Sequence, residues 1–307
     1  MLAMRLKKGD AIGVVAPSSR VESGDEKLEH GTQFLENLGF KVVVGKHVCS
    51  NTLGYAASAL EKAEDINRMF ADQDIKAILC AQGGDTANAC LPELDWELIR
   101  ANPKIFGGIS DVTVLLNAIY ARTGLVTFHC NDLMWGFGRK PTPYDSQEFL
   151  HRLVEGRIGK IPANRPRQTI RRGHAEGRLL GGNLRCLLKL AGTHYLPDFS
   201  GAILFLESLG FDPANCDCML RQLKQMGTFD QVRGVIIGYI DGVDNDPHAD
   251  IYLQDVLLNV TGEYNFPVLK VNDFGHNCPN TALPVGARVR IDANDTQEIE
   301  ILEKCVQ

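Results

Sequence analysis

The chain lacks any run of the roughly eighteen consecutive apolar residues that a membrane-crossing helix needs, and Met1 to Gly9 is too short and too charged for a secretory leader. A cytoplasmic location is expected. Excess positive charge is missing too. With a formal net charge of -6, the protein is not drawn to polyanions, which argues against a nucleic-acid or membrane-surface partner and for a small molecule or peptide. The paired C-x-x-C spacing of a zinc ribbon is also absent. The nine cysteines are odd in number and scattered through apolar segments, and the one close pair, Cys216-Asp-Cys218, has no matching second pair. Free buried thiols are expected, with no metal and no cofactor.

What is present is a β-α-β alternation. Ala11 to Ala16, Lys41 to Val44, Ala77 to Cys80, Ile105 to Ile109 and Val126 to Cys130 read as short buried strands. Lys27 to Leu38, Ala59 to Phe70 and the stretch carrying Leu115, Leu116 and Ile119 recur at helical spacing. This predicts an α/β protein whose amino-terminal domain, residues 1–155, is an open parallel sheet of the flavodoxin or Rossmann kind. Residues 156–178 lose periodicity and carry Pro162, Pro166 and four arginines, Arg165, Arg167, Arg171 and Arg172. They read as a linker with a solvated basic face. Residues 179–307 are expected to form a second, mixed α/β domain with antiparallel strands. It includes a glycine turn at Leu180-Gly-Gly-Asn183, an apolar strand ending at Glu207, and a closing hairpin from Leu283 to Asp292.

Chemistry concentrates at strand ends. Gly107-Gly-Ile-Ser-Asp111 joins a strand to a helix, so Ser110 is either an N-cap or a presented hydroxyl. The turn is not a G-x-S-x-G elbow, because Val112 follows where the second glycine would stand. Gly83 and Gly84 end the preceding strand, at the edge where open α/β sheets bind ligands. Glu207, directly after Ile203-Leu-Phe-Leu206, needs a partner if it is buried. His276 follows Phe274-Gly275. A hydroxyl, an imidazole and a carboxylate supply the nucleophile, the base and the group that orients the base.

These stretches resemble the L,D-carboxypeptidase family of serine peptidases, which includes muramoyltetrapeptide carboxypeptidases and microcin C self-immunity hydrolases. The likeness covers nearly the whole chain, from Leu6-Lys-Lys-Gly-Asp-Ala-Ile-Gly-Val-Val-Ala-Pro17 through Gly107 to Asp111, Leu180 to Asn183 and Leu204 to Glu207 to Gly275-His276 and Leu283-Pro-Val-Gly286. It implies a Ser110, Glu207, His276 triad in a groove between the domains. It also implies an oxyanion hole from the backbone amides of Asp111 and Gly84, a substrate surface including Gly83, Asn183 and Trp135, and a homodimer. The implied activity is cleavage of the terminal L,D-amide of a cytoplasmic murein tetrapeptide. The alternatives are an immunity-type hydrolase acting on peptidyl or aminoacyl nucleotide conjugates, and a non-catalytic two-domain peptide-binding protein. The chain departs from the family's usual Arg-Gly-Gly-Tyr-Gly, having Gln82-Gly-Gly-Asp-Thr86 instead, and Ile158 to Leu180 contains no aromatic residue. An adenine-stacking loop there is therefore not expected.

Overall fold

The computed structural model describes residues 1–307 and contains two sheets with helices packed around them. The amino-terminal sheet contains β1 (Ala11–Val15), β2 (Lys41–Val44), β3 (Ile75–Cys80), β4 (Ile105–Gly108) and β5 (Thr127–His129). The carboxy-terminal sheet is built from β6 (Gly159–Lys160), β7 (Gln168–Arg171), β8 (His174–Asn183), β9 (Ile203–Ser208), β10 (Gly234–Ile240) and β11 (Val268–Gly275). Three strands complete the chain: β12 (Leu283–Val285), β13 (Arg288–Asp292) and β14 (Glu298–Ile301).

The first sheet runs β12-β5-β4-β3-β1-β2, with β1 to β5 parallel. Its central strands β1 and β4 are buried along their whole length, because helices cover both faces of a parallel sheet. The helix Ala59–Ala71 starts at a capping box in which Ser58 accepts from the Glu61 amide and Glu61 accepts from the Ser58 amide. The second sheet runs β6-β14-β13-β8-β9-β10-β11-β7; β8 to β11 are parallel and the flanking strands antiparallel. The mixed α/β architecture is thus as expected.

Two expectations are corrected. Residues 156–178 are no linker: they supply β6, β7 and the start of β8. Their arginines mislead because two of them turn inward and make hydrogen bonds inside the fold. Arg167 donates from Nε to Asp273 at 2.8 Å, and Arg171 lies over the Phe266 ring while donating to Thr261. Nor do residues 283–292 form a hairpin. β12 crosses back to pair antiparallel with β5 in the first sheet, while β13 joins the second sheet between β8 and β14. Since the buried apolar side chains of both sheets form one continuous cluster, the halves share a core.

Candidate active site

Parallel strands present their carboxyl ends to one edge, and that edge carries the site. The turns after β1, β3, β4 and β5 bring Ser19, Gly83, Ser110 and Asp132 to the wall of one cavity of about 620 Å³. The ends of β9 and β11 in the other sheet bring Leu209 and His276 to the same cavity.

Ser110 sits directly beyond β4 with φ +66°, a left-handed conformation that a residue with a Cβ adopts at a cost of about 1–2 kcal/mol. Such strain persists where the surrounding structure enforces it, and it clusters at working sites. Of the four non-glycine residues with positive φ, three, Ser110, Lys140 and Asn277, line this cavity. The Ser110 hydroxyl caps no helix: the short turn Ser110–Val112 and the helix Thr113–Thr123 begin without a side-chain cap. Gly83 lies so close that a methyl group on it would stand 2.8 Å from Ser110 Oγ and 3.2 Å from the Asp111 nitrogen.

Glu207 is the fifth residue of β9 and is fully buried. Its Oε2 meets His276 Nδ1 at 2.6 Å, a distance suited to a charge-assisted bond. Burial works to raise the Glu207 pKa, but the His276 charge and hydrogen bond outweigh it and hold the carboxyl below its ordinary value. Burial likewise works to lower His276, and Glu207 outweighs it, leaving the imidazole above its ordinary value. With Nδ1 engaged by the carboxylate, the proton on that nitrogen is fixed and Nε2 is the ring's free acceptor.

The amides of Gly83 and Gly84 donate no hydrogen bond within the protein and both glycines line the cavity. Gly84 (φ +141°) packs against Ser18 and Ser19, and Gly83 packs against Ser110. Asn183 stands elsewhere. It pairs with Glu207 in the β8–β9 register, but its side-chain oxygen accepts from the Cys186 amide at the start of a helix and it does not line the cavity. Arg185 is exposed, 3.7 Å from Asp85, and is likewise outside the lining.

Models of the LD-carboxypeptidase N-terminal and C-terminal domains match residues 12–130 and 176–291 respectively. The chain belongs to the LD-carboxypeptidase family. It is 34% identical to a probable murein peptide carboxypeptidase of Bacillus subtilis, covering 97% of this chain and 93% of that protein. It is 31% identical to the microcin C7 self-immunity protein MccF of Escherichia coli, covering 99% and 96%. Among solved structures, MccF in complex with aspartyl sulfamoyl adenosine superposes with a TM-score of 0.92 at 31% identity, over 100% of both chains. A muramoyltetrapeptide carboxypeptidase from Oxalobacter formigenes gives 0.80 at 26% identity, over 95% of this chain and 97% of that one. Family membership makes this a serine-type peptidase.

Several residues of this LD-carboxypeptidase have contacts that sequence reasoning did not assign. The Asp111 carboxylate, expected to matter only through its neighbouring amide, is fully buried. It accepts from Ser18 Oγ at 2.6 Å and the Ala87 amide at 2.8 Å, and it pairs with Lys189 from the other half. Asp145 accepts from Asn131 Nδ2 and the Asn280 amide, both at 2.7 Å, while Asn280 Oδ1 accepts from the Gly275 amide at 2.8 Å. This chain of bonds fixes the His276 loop to the amino-terminal half. His129 is fully buried between Phe205 and Phe274 with neither ring nitrogen hydrogen-bonded, and burial pushes its pKa down to about 4. Trp135 is half exposed in the cavity wall, with its Nε1 donating to Gln82 Oε1 at 2.9 Å. Polar residues in loops carry no periodicity, so only their paired polarity, as in Asn131-Asp132 or Asn277 to Asn280, could have marked them.

Proposed function

We propose that the protein is a serine carboxypeptidase that removes the terminal residue of a murein tetrapeptide by cleaving an L,D-amide bond, with Ser110 as nucleophile, His276 as base and Glu207 as its orienting acid. The observation that carries this reading is the 2.6 Å contact between His276 Nδ1 and buried Glu207 beside a cavity that also exposes Ser110. In this mechanism His276 Nε2 takes the Ser110 proton as Oγ attacks the carbonyl carbon. The negative charge on the carbonyl oxygen is received by the amides of Gly84 and Asp111. His276 then gives its proton to the leaving amine, and water attacks the acyl-enzyme by the same route in reverse. Ser110→Ala tests the reading: kcat should fall about 10⁶-fold with folding intact by circular dichroism. A variant that kept activity within tenfold of the parent would sink it.

The second reading is hydrolysis of an aminoacyl or peptidyl nucleotide conjugate, favoured by the higher TM-score against MccF. Against it, residues 158–180 carry no Phe, Trp or Tyr and supply β6, β7 and the start of β8, leaving Trp135 as the large aromatic surface of the cavity. Comparing kcat/KM for murein tetrapeptide and for an aminoacyl-sulfamoyl adenosine separates the two. We further propose a cytoplasmic location, a role in peptidoglycan recycling and a homodimer, a reading supported by the family likeness. No helix is long and apolar enough to cross a membrane, and sedimentation measures the oligomer.

A further inference from the structure

The cavity beside His276 is lined by two acids and two long cations. Its two acids are already engaged: Asp132 accepts from the amides of Trp135 and Gly136, and Asp145 accepts from Asn131, Thr142 and Asn280. Its two long cations, Arg139 and Lys140, form no ion pair, although twenty-three other contacts between charged groups of opposite sign do form. The two cations are therefore the charges of the lining left free to meet an entering anion.

Arg139 is also held in place. Its guanidinium lies over the Trp135 ring, 4.8 Å from the centroid, and that ring is fixed by the bond from its Nε1 to Gln82. Arg139 Nη1 donates to Asn277 Oδ1 at 3.3 Å, and Asn277 Nδ2 donates in turn to Asp241 at 3.0 Å. A stacked guanidinium gives up less freedom on binding than a loose side chain, and its remaining N–H groups suit a carboxylate.

Position supplies the rest. Resting on the carboxypeptidase reading above, the leaving amine takes its proton from His276. In an amino-acid leaving group the carboxyl carbon is two bonds from that nitrogen, about 2.5 Å away. A cation that reads this carboxylate must stand on the His276 side, and Arg139 is bonded to Asn277, the residue directly after His276. We propose that Arg139 binds the α-carboxylate of the residue that is released, and thereby selects peptides with a free carboxyl terminus. Gln82 in the adjacent turn holds Trp135 under this guanidinium.

The test compares murein tetrapeptide with the same peptide amidated at its carboxyl terminus, using the parent, Arg139→Gln and Arg139→Lys. In the parent the acid is preferred about 10²-fold, the range of a charged hydrogen bond of about 1.5–3 kcal/mol. Arg139→Gln raises KM for the acid roughly 10- to 100-fold with kcat within about threefold, and leaves the amide unchanged. Arg139→Lys recovers part of the preference, because a point charge lacks the fork. Equal losses on acid and amide, or no loss on either, overturn the proposal. A second arm needs no turnover. In Ser110→Ala protein with Trp96→Phe, Trp135 is the remaining tryptophan, and its fluorescence reports binding of each peptide. Arg139→Gln should abolish the tighter binding of the acid, and retention of that difference, or its absence before the substitution, overturns the assignment. A parent that binds the acid more tightly but never cleaves it refutes the carboxypeptidase reading alone.

Discussion

Gly83→Ala is a one-methyl test of how closely the site is built. Gly83 has no left-handed backbone angle, so alanine imposes no backbone strain there. The new methyl would nevertheless stand 2.6 Å from Ser110 Cβ and 2.8 Å from its Oγ, short by about 1 Å of the ~3.5–4.0 Å at which carbons rest. The strand behind Ser110 is equally tight: a Cβ on Gly107 would stand 2.8 Å from Cys130 Sγ, and one on Gly108 would stand 2.9 Å from Val112. The clash must be relieved by moving either the nucleophile or the turn of Gly83 and Gly84. A misplacement of about 1 Å costs roughly 10²-fold, and loss of an oxyanion donor costs about 10² to 10³. We predict a fall in kcat/KM of about 10² to 10⁴, that is roughly 3–5 kcal/mol in the barrier. The expected stability loss is about 1–3 kcal/mol from overpacking. Gly262→Ala is the control, since its nearest neighbour would lie at an ordinary 3.6 Å. Steady-state kinetics and urea unfolding of both variants decide it. If Gly83→Ala keeps kcat/KM within threefold of the parent, Gly83 is not pressed against the nucleophile and the reasoning fails.

Ser110→Gly and Ser110→Ala should both be inactive but differ in stability. Relief of the φ +66° strain is worth about 1–2 kcal/mol, less roughly 0.5–1 for the freedom glycine gains in the unfolded chain. The glycine variant is therefore expected to be the more stable by about 0.5–1 kcal/mol, and an alanine variant of equal or greater stability counts against enforced strain. Glu207→Gln removes the charge that raises His276 while burial, which lowers it, remains. The acidic limb of kcat/KM, above the ordinary histidine value of about 6.5 in the parent, should move below it, and kcat should drop about 10⁴-fold. A raised folded pKa stabilises fully below the unfolded value and is lost as pH rises through the folded one, so this variant should also lose that alkaline decline. An unmoved limb would separate Glu207 from the base. His129, lowered to about 4 from 6.5 by burial, leaves the unfolded chain binding the extra proton between those values, so stability should fall as pH is lowered across that window. His129→Leu should remove about 2 kcal/mol of the loss between pH 7 and pH 5, and urea midpoints that decline as in the parent would refute this.

Much of the amino-terminal sheet is legible because parallel strands covered on both faces are written as unbroken apolar runs, as in Ala11–Val15 and residues 77–80 of β3. The strands of residues 156–178 are hidden for the converse reason. β7 lies at a sheet edge, where the sequence shows no alternation, and Arg167 and Arg171 turn their guanidinium groups inward to partners on other elements. The crossing of β12 is invisible for another reason: a Leu-Pro-Val strand of three residues beside β13 reads as half a hairpin, and only tertiary pairing with β5 assigns it. At the site, Ser110, Glu207 and His276 could be singled out because they are chemically reactive types at strand ends. Arg139, Asp145 and Asn280 could not, since their role comes from partners more than a hundred residues away or from a stacking geometry.

The same contrast explains how the two halves hold a site in register. Apolar contact between sheets is tolerant of small slides, because hydrophobic surfaces can repack at modest cost. Buried hydrogen bonds are not tolerant, since a shift that breaks one strands its partner without water. This protein places such bonds where they bear on the reacting groups. Asp111, next to Ser110, is tied to Lys189. Thr113 Oγ1 accepts from the Asn183 amide at 3.0 Å, and Asn117 both donates to the Gly181 carbonyl at 2.8 Å and accepts from its amide at 3.3 Å. On the opposite wall, Asn131, Asp145 and Asn280 clamp the loop that carries His276. Ser110 and His276, supplied by different sheets, are thus each bracketed by directional bonds to the other half. The side chain of Asp111, which the sequence offered only as the bearer of an amide, is one of the groups that sets where Ser110 stands.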